Sequence, residues 1–186
     1  MRKFKPKFWR VIFICWVALL LARRRYQQAE SFCRAGINFS QETPLFHEWL
    51  AKTLWRQARL DEAIQEYRVA MALRKATLSA DRMDLIQLLL EAERYEEAIV
   101  ESQKLLNPQY HRVSTFFKKA HEYAAFKGMY QAYVQLGDFK HAKETLYHLL
   151  PFYKKGSKRY TEMLEKISTC EGYSRRSQEE GKGINS

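Results

Sequence analysis

A short string recurs along this chain at a spacing that few folds accommodate. Leu60-Asp61-Glu62-Ala63-Ile64 is followed by Tyr95-Glu96-Glu97-Ala98-Ile99 and by Phe139-Lys140-His141-Ala142-Lys143. Each copy is a bulky residue, two polar residues and an alanine. A weaker copy, Tyr26-Gln27-Gln28-Ala29, precedes them, and the four alanines stand 34, 35 and 44 residues apart. Periods of this length mark repeat architectures. A helical hairpin needs a small residue where its two helices cross closely, which Ala63, Ala98 and Ala142 supply. It also needs a large residue before the second helix to plug the turn, a place for Leu60, Tyr95 and Phe139. One such hairpin cannot bury its apolar face alone, so successive copies must stack. The rival is a plain helical bundle with common alanines at chance intervals, and the tandem recurrence speaks against it.

The intervening sequence reads as helix. The 186 residues include only 7 Gly and 4 Pro, and alternating β-branched runs are missing, so an all-α fold is expected. Before each alanine, packing residues fall on one helical face at i, i+1, i+4: Leu50, Ala51 and Leu54, then Leu85, Ile86 and Leu89, then Met129, Tyr130 and Tyr133. Second helices follow, with Tyr67 and Ala70, then Leu105, then Leu146 and Leu149 on the buried side. About ten extra residues widen the last interval. Tyr110 to Lys127, with Phe116, Phe117, Tyr123 and Phe126 among lysines, reads as a lengthened first helix broken near Gly128. Its aromatics either pack on the neighbouring unit or form a basic, aromatic contact surface.

The pattern resembles the tetratricopeptide repeat (TPR) family, W-x2-L-G-x2-Y, A-x3-F, then P. Leu50, Ala63, Tyr67 and Ala70 match in the first clear unit. Tyr133, Ala142 and the turn Leu136-Gly137-Asp138-Phe139 match in the last. The match runs over roughly 44–151 and more weakly over 10–40. His47, Arg82 and Phe126 stand in the Trp slot, and Ser102 and Leu146 stand in the second Phe slot. Pro108 and Pro151 lie only near the usual end position. The resemblance implies a right-handed superhelix of antiparallel helix pairs, with repeats over about 44–76, 79–108 and 110–151. It implies a protein-binding adaptor or scaffold with no catalytic residues, cofactor or metal. The concave groove would hold a peptide or helix at Glu48, Lys52, Trp55 and Arg56, at Met83, Gln87, Leu90 and Glu91, and at Lys127, Gln131, Val134 and Gln135. Trp55 and Arg56 are of types enriched at binding hot spots, although Trp55 would equally serve as packing between units. Glu48 stands where chaperone-tail clamps of the family carry a lysine, so that activity is not implied.

Val11 to Ala22 are twelve consecutive apolar or small residues, with Lys3, Lys5, Lys7 and Arg10 before them and Arg23, Arg24 and Arg25 after. The basic flanks, and Trp9 and Trp16, point to a membrane-anchoring helix through residues 9–22, within an anchor segment 1–25. A count of 5 basic residues before the run and 4 closely after leans towards a cytoplasmic N-terminus. A cleavable signal sequence is not expected, because Ala22 runs straight into three arginines. The competing expectation is a first repeat helix, since Ala29 lies in phase with Ala63. In either case residues 26–43 read as a partial or degenerate repeat helix and loop, and an anchor that runs on into a repeat hairpin satisfies both expectations.

The net charge of +11 raises nucleic acid as an alternative partner. Its distribution argues otherwise: net +8 over 1–34, −3 over 35–108 and +6 over 109–186. A nucleic-acid surface needs a basic stripe across the folded body. Cys15, Cys33 and Cys170 are far apart and suggest neither a disulfide framework nor zinc. No phosphate loop, GxSxG or HExxH occurs. His141 and His148 stand two helical turns apart, too far to share a metal. Asp61-Glu62 and Glu96-Glu97 suit helix N-termini. Beyond Pro151, Tyr160, Met163, Leu164 and Ile167 outline a capping helix within 152–169, and the polar segment 170–186 is expected to be disordered.

Overall fold

The computed structural model describes residues 6–74, 79–107, 109 and 118–183, with side chains over 11–74, 80–107, 109 and 118–174. Tyr110 to Phe117 and Pro108 lie outside the described residues. The described chain is α-helical: α1 Pro6–Ala22, α2 Tyr26–Phe39, α3 Pro44–Arg56, α4 Leu60–Leu73, α5 Ser79–Glu91, α6 Tyr95–Leu106, α7 Lys118–Gln135, α8 Phe139–Leu149 and α9 Lys158–Gly183, with a 3₁₀ turn at Leu150–Phe152. Two compact units divide it, Met1–Asp81 and Arg82–Ser186.

The same turn closes four hairpins. Arg24, Ala58, Glu93 and Gly137 have φ of 55°, 59°, 57° and 72°. The next residue in each case donates its backbone N–H five residues back: Arg25 to Leu20, Arg59 to Leu54, Arg94 to Leu89 and Asp138 to Tyr133, at 2.9–3.0 Å. This is the Schellman closure, which satisfies the orphan carbonyls of a helix end by one left-handed residue. The chain then turns at once into the next helix, four residues ahead of a fully buried alanine: Ala29, Ala63, Ala98 or Ala142. Three of the four left-handed positions carry a Cβ, and that conformation strains a non-glycine residue by about 1–2 kcal/mol. Exposed Ala58 should therefore tolerate glycine. Ala58→Gly is expected to raise stability by about 1 kcal/mol in urea unfolding, less glycine's larger unfolded-state entropy. A destabilised variant would show that the turn needs its Cβ.

The recurrence of the turn at Arg24 settles the role of α1. Its 17 residues reach about 25 Å, against a hydrocarbon core of roughly 30 Å. No helix among the described residues is long and apolar enough to cross a membrane. The expected spanning anchor is thus corrected: α1 is the first helix of a hairpin. Phe13, Val17 and Leu20, at i, i+4 and i+7, are buried in unit 1, which holds α1, α2, α3 and α4. Phe13 stacks on Phe32 of α2 with centroids 5.3 Å apart and meets the Phe46 ring of α3 edge-on at 4.7 Å. Gly36 of α2 lets Phe46 this close, since a Cβ there would stand 2.8 Å from the ring.

In the second unit, α8 packs on both α7 and α9. Ala142, Leu146 and Leu149 of α8 meet Ile167 and Cys170 of α9, with Tyr130, Tyr133 and Val134 of α7 around them. The inward stripe of α9 is Met163, Ile167 and Cys170, while Leu164 turns outward at 44% exposure. The helix also runs on to Gly183, through the stretch expected to be disordered. Beyond Ile167 it is held by buried Cys170, by Tyr173 stacked on Phe139 at 4.6 Å, and by Lys143 3.6 Å from Glu171. A second correction concerns Gly128. It does not break α7, which is continuous from Lys118 to Gln135.

Candidate functional site: a cleft between two first helices

Gly128 sets the geometry of the site. A Cβ there would lie 2.7 Å from Ile86 Cγ2 and 3.0 Å from Ser102 Oγ. Its absence lets the middle of α7 seat against both helices of the α5–α6 hairpin. Ile86, Leu105 and Ala125 are buried at this junction, with Met83, Leu90, Leu106 and Ala124 packed around them. Towards the N-terminal half of α7 the helices leave a cleft of about 430 Å³.

Two helical stripes line it. Met83, Gln87 and Leu90 follow i, i+4, i+7 on α5, with Asp84 and Ile86 beside them. Ala120, Ala124, Lys127 and Gln131 follow i, i+4, i+7, i+11 on α7, with Tyr123. The floor is apolar and carries alanines on the α7 side, so room remains for an incoming side chain. The rim is polar and of mixed charge: Asp84, Gln87, Lys127 and Gln131. Gln87 donates to Glu91 at 3.1 Å. Tyr123 is a fixed wall, its ring edge-on to Phe152 and its hydroxyl 3.0 Å from that of Tyr153. Burial, with the Tyr123 hydroxyl beside it, pushes the Tyr153 phenol up to about 12, so the Tyr153 hydroxyl keeps its proton throughout the neutral range. Apolar floor, few polar groups and pre-set walls are the usual features of a ligand cleft.

The expected groove residues divide accordingly. Met83, Gln87, Leu90, Lys127 and Gln131 line the cleft. Glu91 and Gln135 are exposed on the same two helices outside its lining. Val134 is not a groove residue, since it packs into the core between α7, α8 and α9. In unit 1, Glu48, Lys52, Trp55 and Arg56 share one face of α3. There Lys52 bonds Glu48 at 2.7 Å and lies over the Trp49 ring, and Arg74 also pairs with Glu48. Trp55 is half-buried and Arg56 exposed. An open depression on α2 along Gln27, Ser31 and Ala35 has similar volume but one helix for its lining, so it offers no opposing walls.

Sequence reasoning missed Ala124 and Gly128 as site residues, and it left Tyr123 between packing and a contact surface. The run Ala120, Ala124, Lys127, Gln131 was visible as a helical stripe with small residues at one end. It also missed the buried polar pairs. His47 Nδ1 lies 2.7 Å from Glu66, and Arg82 pairs with Glu101, both across 19 residues. Arg82 stands 35 residues after His47, and Glu101 stands 35 after Glu66. The Trp slot has therefore been refilled twice by the same device, a basic side chain held by a glutamate of the second helix.

The remaining candidate chemistry resolves into structure. Asp138 caps α8, accepting the His141 N–H at 3.1 Å and lying 2.6 Å from its ring. His148 stacks on Phe126. Glu62 and Glu97 bind Arg59 and Arg94 across their turns. No group of three metal-ligating side chains occurs among the described residues.

No family model matches the sequence, and no curated protein matches it significantly. Solved structures do. The chain superposes on pilF of Pseudomonas aeruginosa with a TM-score of 0.60 at 20% identity, over 90% of this chain and 69% of that one. MamA from Desulfovibrio magneticus RS-1 gives 0.62 at 12% identity, over 95% and 97%. YrrB, described as a TPR protein with an unusual peptide-binding site, gives 0.56 at 12% identity, over 90% of each chain. With the four matched hairpin turns and their buried alanines, these likenesses establish that the chain has the tetratricopeptide-repeat fold.

Proposed function

We propose that this protein is an interaction module that docks a segment of another protein, with the cleft between α5 and α7 as its receptor. The cleft itself carries the proposal: an apolar floor between two first helices, walled by Tyr123 and rimmed by Asp84, Gln87, Lys127 and Gln131. An amphipathic helix or extended segment fits this chemistry, with an apolar anchor over Met83 and Leu90 and polar neighbours for the rim. The likeness to a TPR protein with a peptide-binding site supports the reading. Glu48, Lys52, Trp55 and Arg56 on α3 form a second candidate surface, in the other unit.

Affinity capture with mass spectrometry supplies the partner, and titration calorimetry then measures it. Leu90→Glu puts a charge on the floor and is expected to weaken binding at least tenfold, about 1.4 kcal/mol, with unchanged helicity by circular dichroism. Trp55→Ala with Arg56→Ala tests the α3 face separately. Full affinity in Leu90→Glu would remove the cleft from the account.

A further inference from the structure

The outward face of α1 carries a surface that the interaction module does not use. Phe13, Val17 and Leu20 turn into unit 1, whereas Val11, Ile12, Trp16 and Leu19 keep 59%, 43%, 51% and 39% of their surface exposed. Cys15, Ala18 and Ala22 are exposed beside them. No polar side chain interrupts this face from Val11 to Ala22. Ile12, Trp16, Leu19 and Arg23 follow i, i+4, i+7, i+11, one stripe of a helix. Arg23 still donates its N–H to the Leu19 carbonyl at 3.1 Å, so the helical spacing holds through it. The stripe therefore ends in a cation, and exposed Arg24 and Arg25 adjoin it.

Charge decides what covers such a face. The first acidic residue in the chain is Glu30, and it is already engaged by Arg34, Arg59 and Gln57. A second copy laid α1 against α1 would bring only further cations to these arginines. One helix face is also small beside the roughly 20–30 residues a side of a stable interface. An anionic lipid surface meets both requirements. It offers phosphates to the arginines and a shallow apolar layer to Trp16 and its neighbours.

We propose that α1 docks the protein flat onto an anionic bilayer surface, with Ile12, Trp16 and Leu19 entering the headgroup–acyl boundary and Arg23 to Arg25 lying among the phosphates. The helix does not cross the bilayer, since its inner face remains packed on α2 and α3. The test uses the full chain with a nitrobenzoxadiazole label on Cys15, a selective site because Cys33 and Cys170 are buried. Phosphatidylglycerol–phosphatidylcholine vesicles should bind the protein and shift the label to the blue, and added salt should weaken the binding. Vesicles of phosphatidylcholine alone should bind far less. Arg23→Gln with Arg24→Gly and Arg25→Gln keeps the left-handed turn and is expected to lower partitioning roughly 100-fold. Trp16→Glu with Leu19→Glu should abolish binding while helicity is retained. If that pair unfolds the chain, the arginine variant still decides. Absence of vesicle binding overturns the proposal. So does a dimer in sedimentation velocity that the glutamates dissociate, or binding that ignores lipid charge.

Discussion

Replacing Glu101 by alanine is expected to lower the unfolding free energy by roughly 3–5 kcal/mol, the usual result of stripping a buried charge of its counter-ion. The Arg82 side chain is only 5% exposed and pairs with Glu101, whose carboxylate also holds Lys104 at 2.8 Å. Removing that carboxylate leaves a guanidinium in the slot that a Trp fills in the family pattern, with little water to replace the lost bonds. Against a typical domain stability of about 5–15 kcal/mol the loss would be severe. The pair as a whole need not be stabilising. Arg82→Met with Glu101→Leu, which fills the same space without charge, is expected to be neutral or more stable by about 1–4 kcal/mol. Urea unfolding of the two single variants and the double variant closes the cycle and gives the coupling energy. A single-variant loss below about 1 kcal/mol would mean that solvent reaches Arg82 more freely than its burial implies.

Gly128→Val is the second large effect, an expected loss of roughly 1–3 kcal/mol from overpacking. The new Cβ would fall 2.7 Å from Ile86 Cγ2, and neither helix can yield without moving the other. Replacing a helical glycine otherwise stabilises a helix by under about 1 kcal/mol, so the clash outweighs the gain. Ile86→Ala in the same chain removes the clashing methyl and should recover part of the loss. Because Ile86 and Gly128 both line the cleft, the valine variant should also lose partner affinity. A valine variant with unchanged stability would show that α7 shifts away from Ile86 at little cost.

The repeats were legible because they rest on short-range spacing. Leu50, Ala51 and Leu54, and Leu85, Ile86 and Leu89, are all buried as their i, i+1, i+4 pattern requires. Ala63, Ala98 and Ala142 are fully buried, as small residues expected at close helix crossings should be. Part of the cleft lining, Met83, Gln87, Leu90, Lys127 and Gln131, coincides with groove positions that the family resemblance implied. The rest depended on Tyr123 and Gly128. Their roles come from Phe152, Tyr153, Ile86 and Ser102, all at least 26 residues away, and periodicity along one helix carries no trace of such partners.

The N-terminal segment separates the two kinds of information most clearly. The sequence alone determined that Val11 to Ala22 is an apolar helix between basic flanks, and that Ala29 keeps the phase of the repeats. It pointed to a membrane span ahead of a repeat helix, because a helix apolar on every side gives no orientation to read and the basic flanks then carry the reading. The tertiary structure decided between them. The left-handed turn at Arg24 folds α1 back on α2, and Phe13 locks between Phe32 and Phe46, so one face is buried in protein and Trp16 is left outside. The tail followed the same logic in reverse. Its polar composition pointed to disorder, yet Cys170 and Tyr173 find Phe139 and the α8 surface, and the helix persists. Burial belongs to pairs of surfaces, and only the folded chain says which surfaces meet.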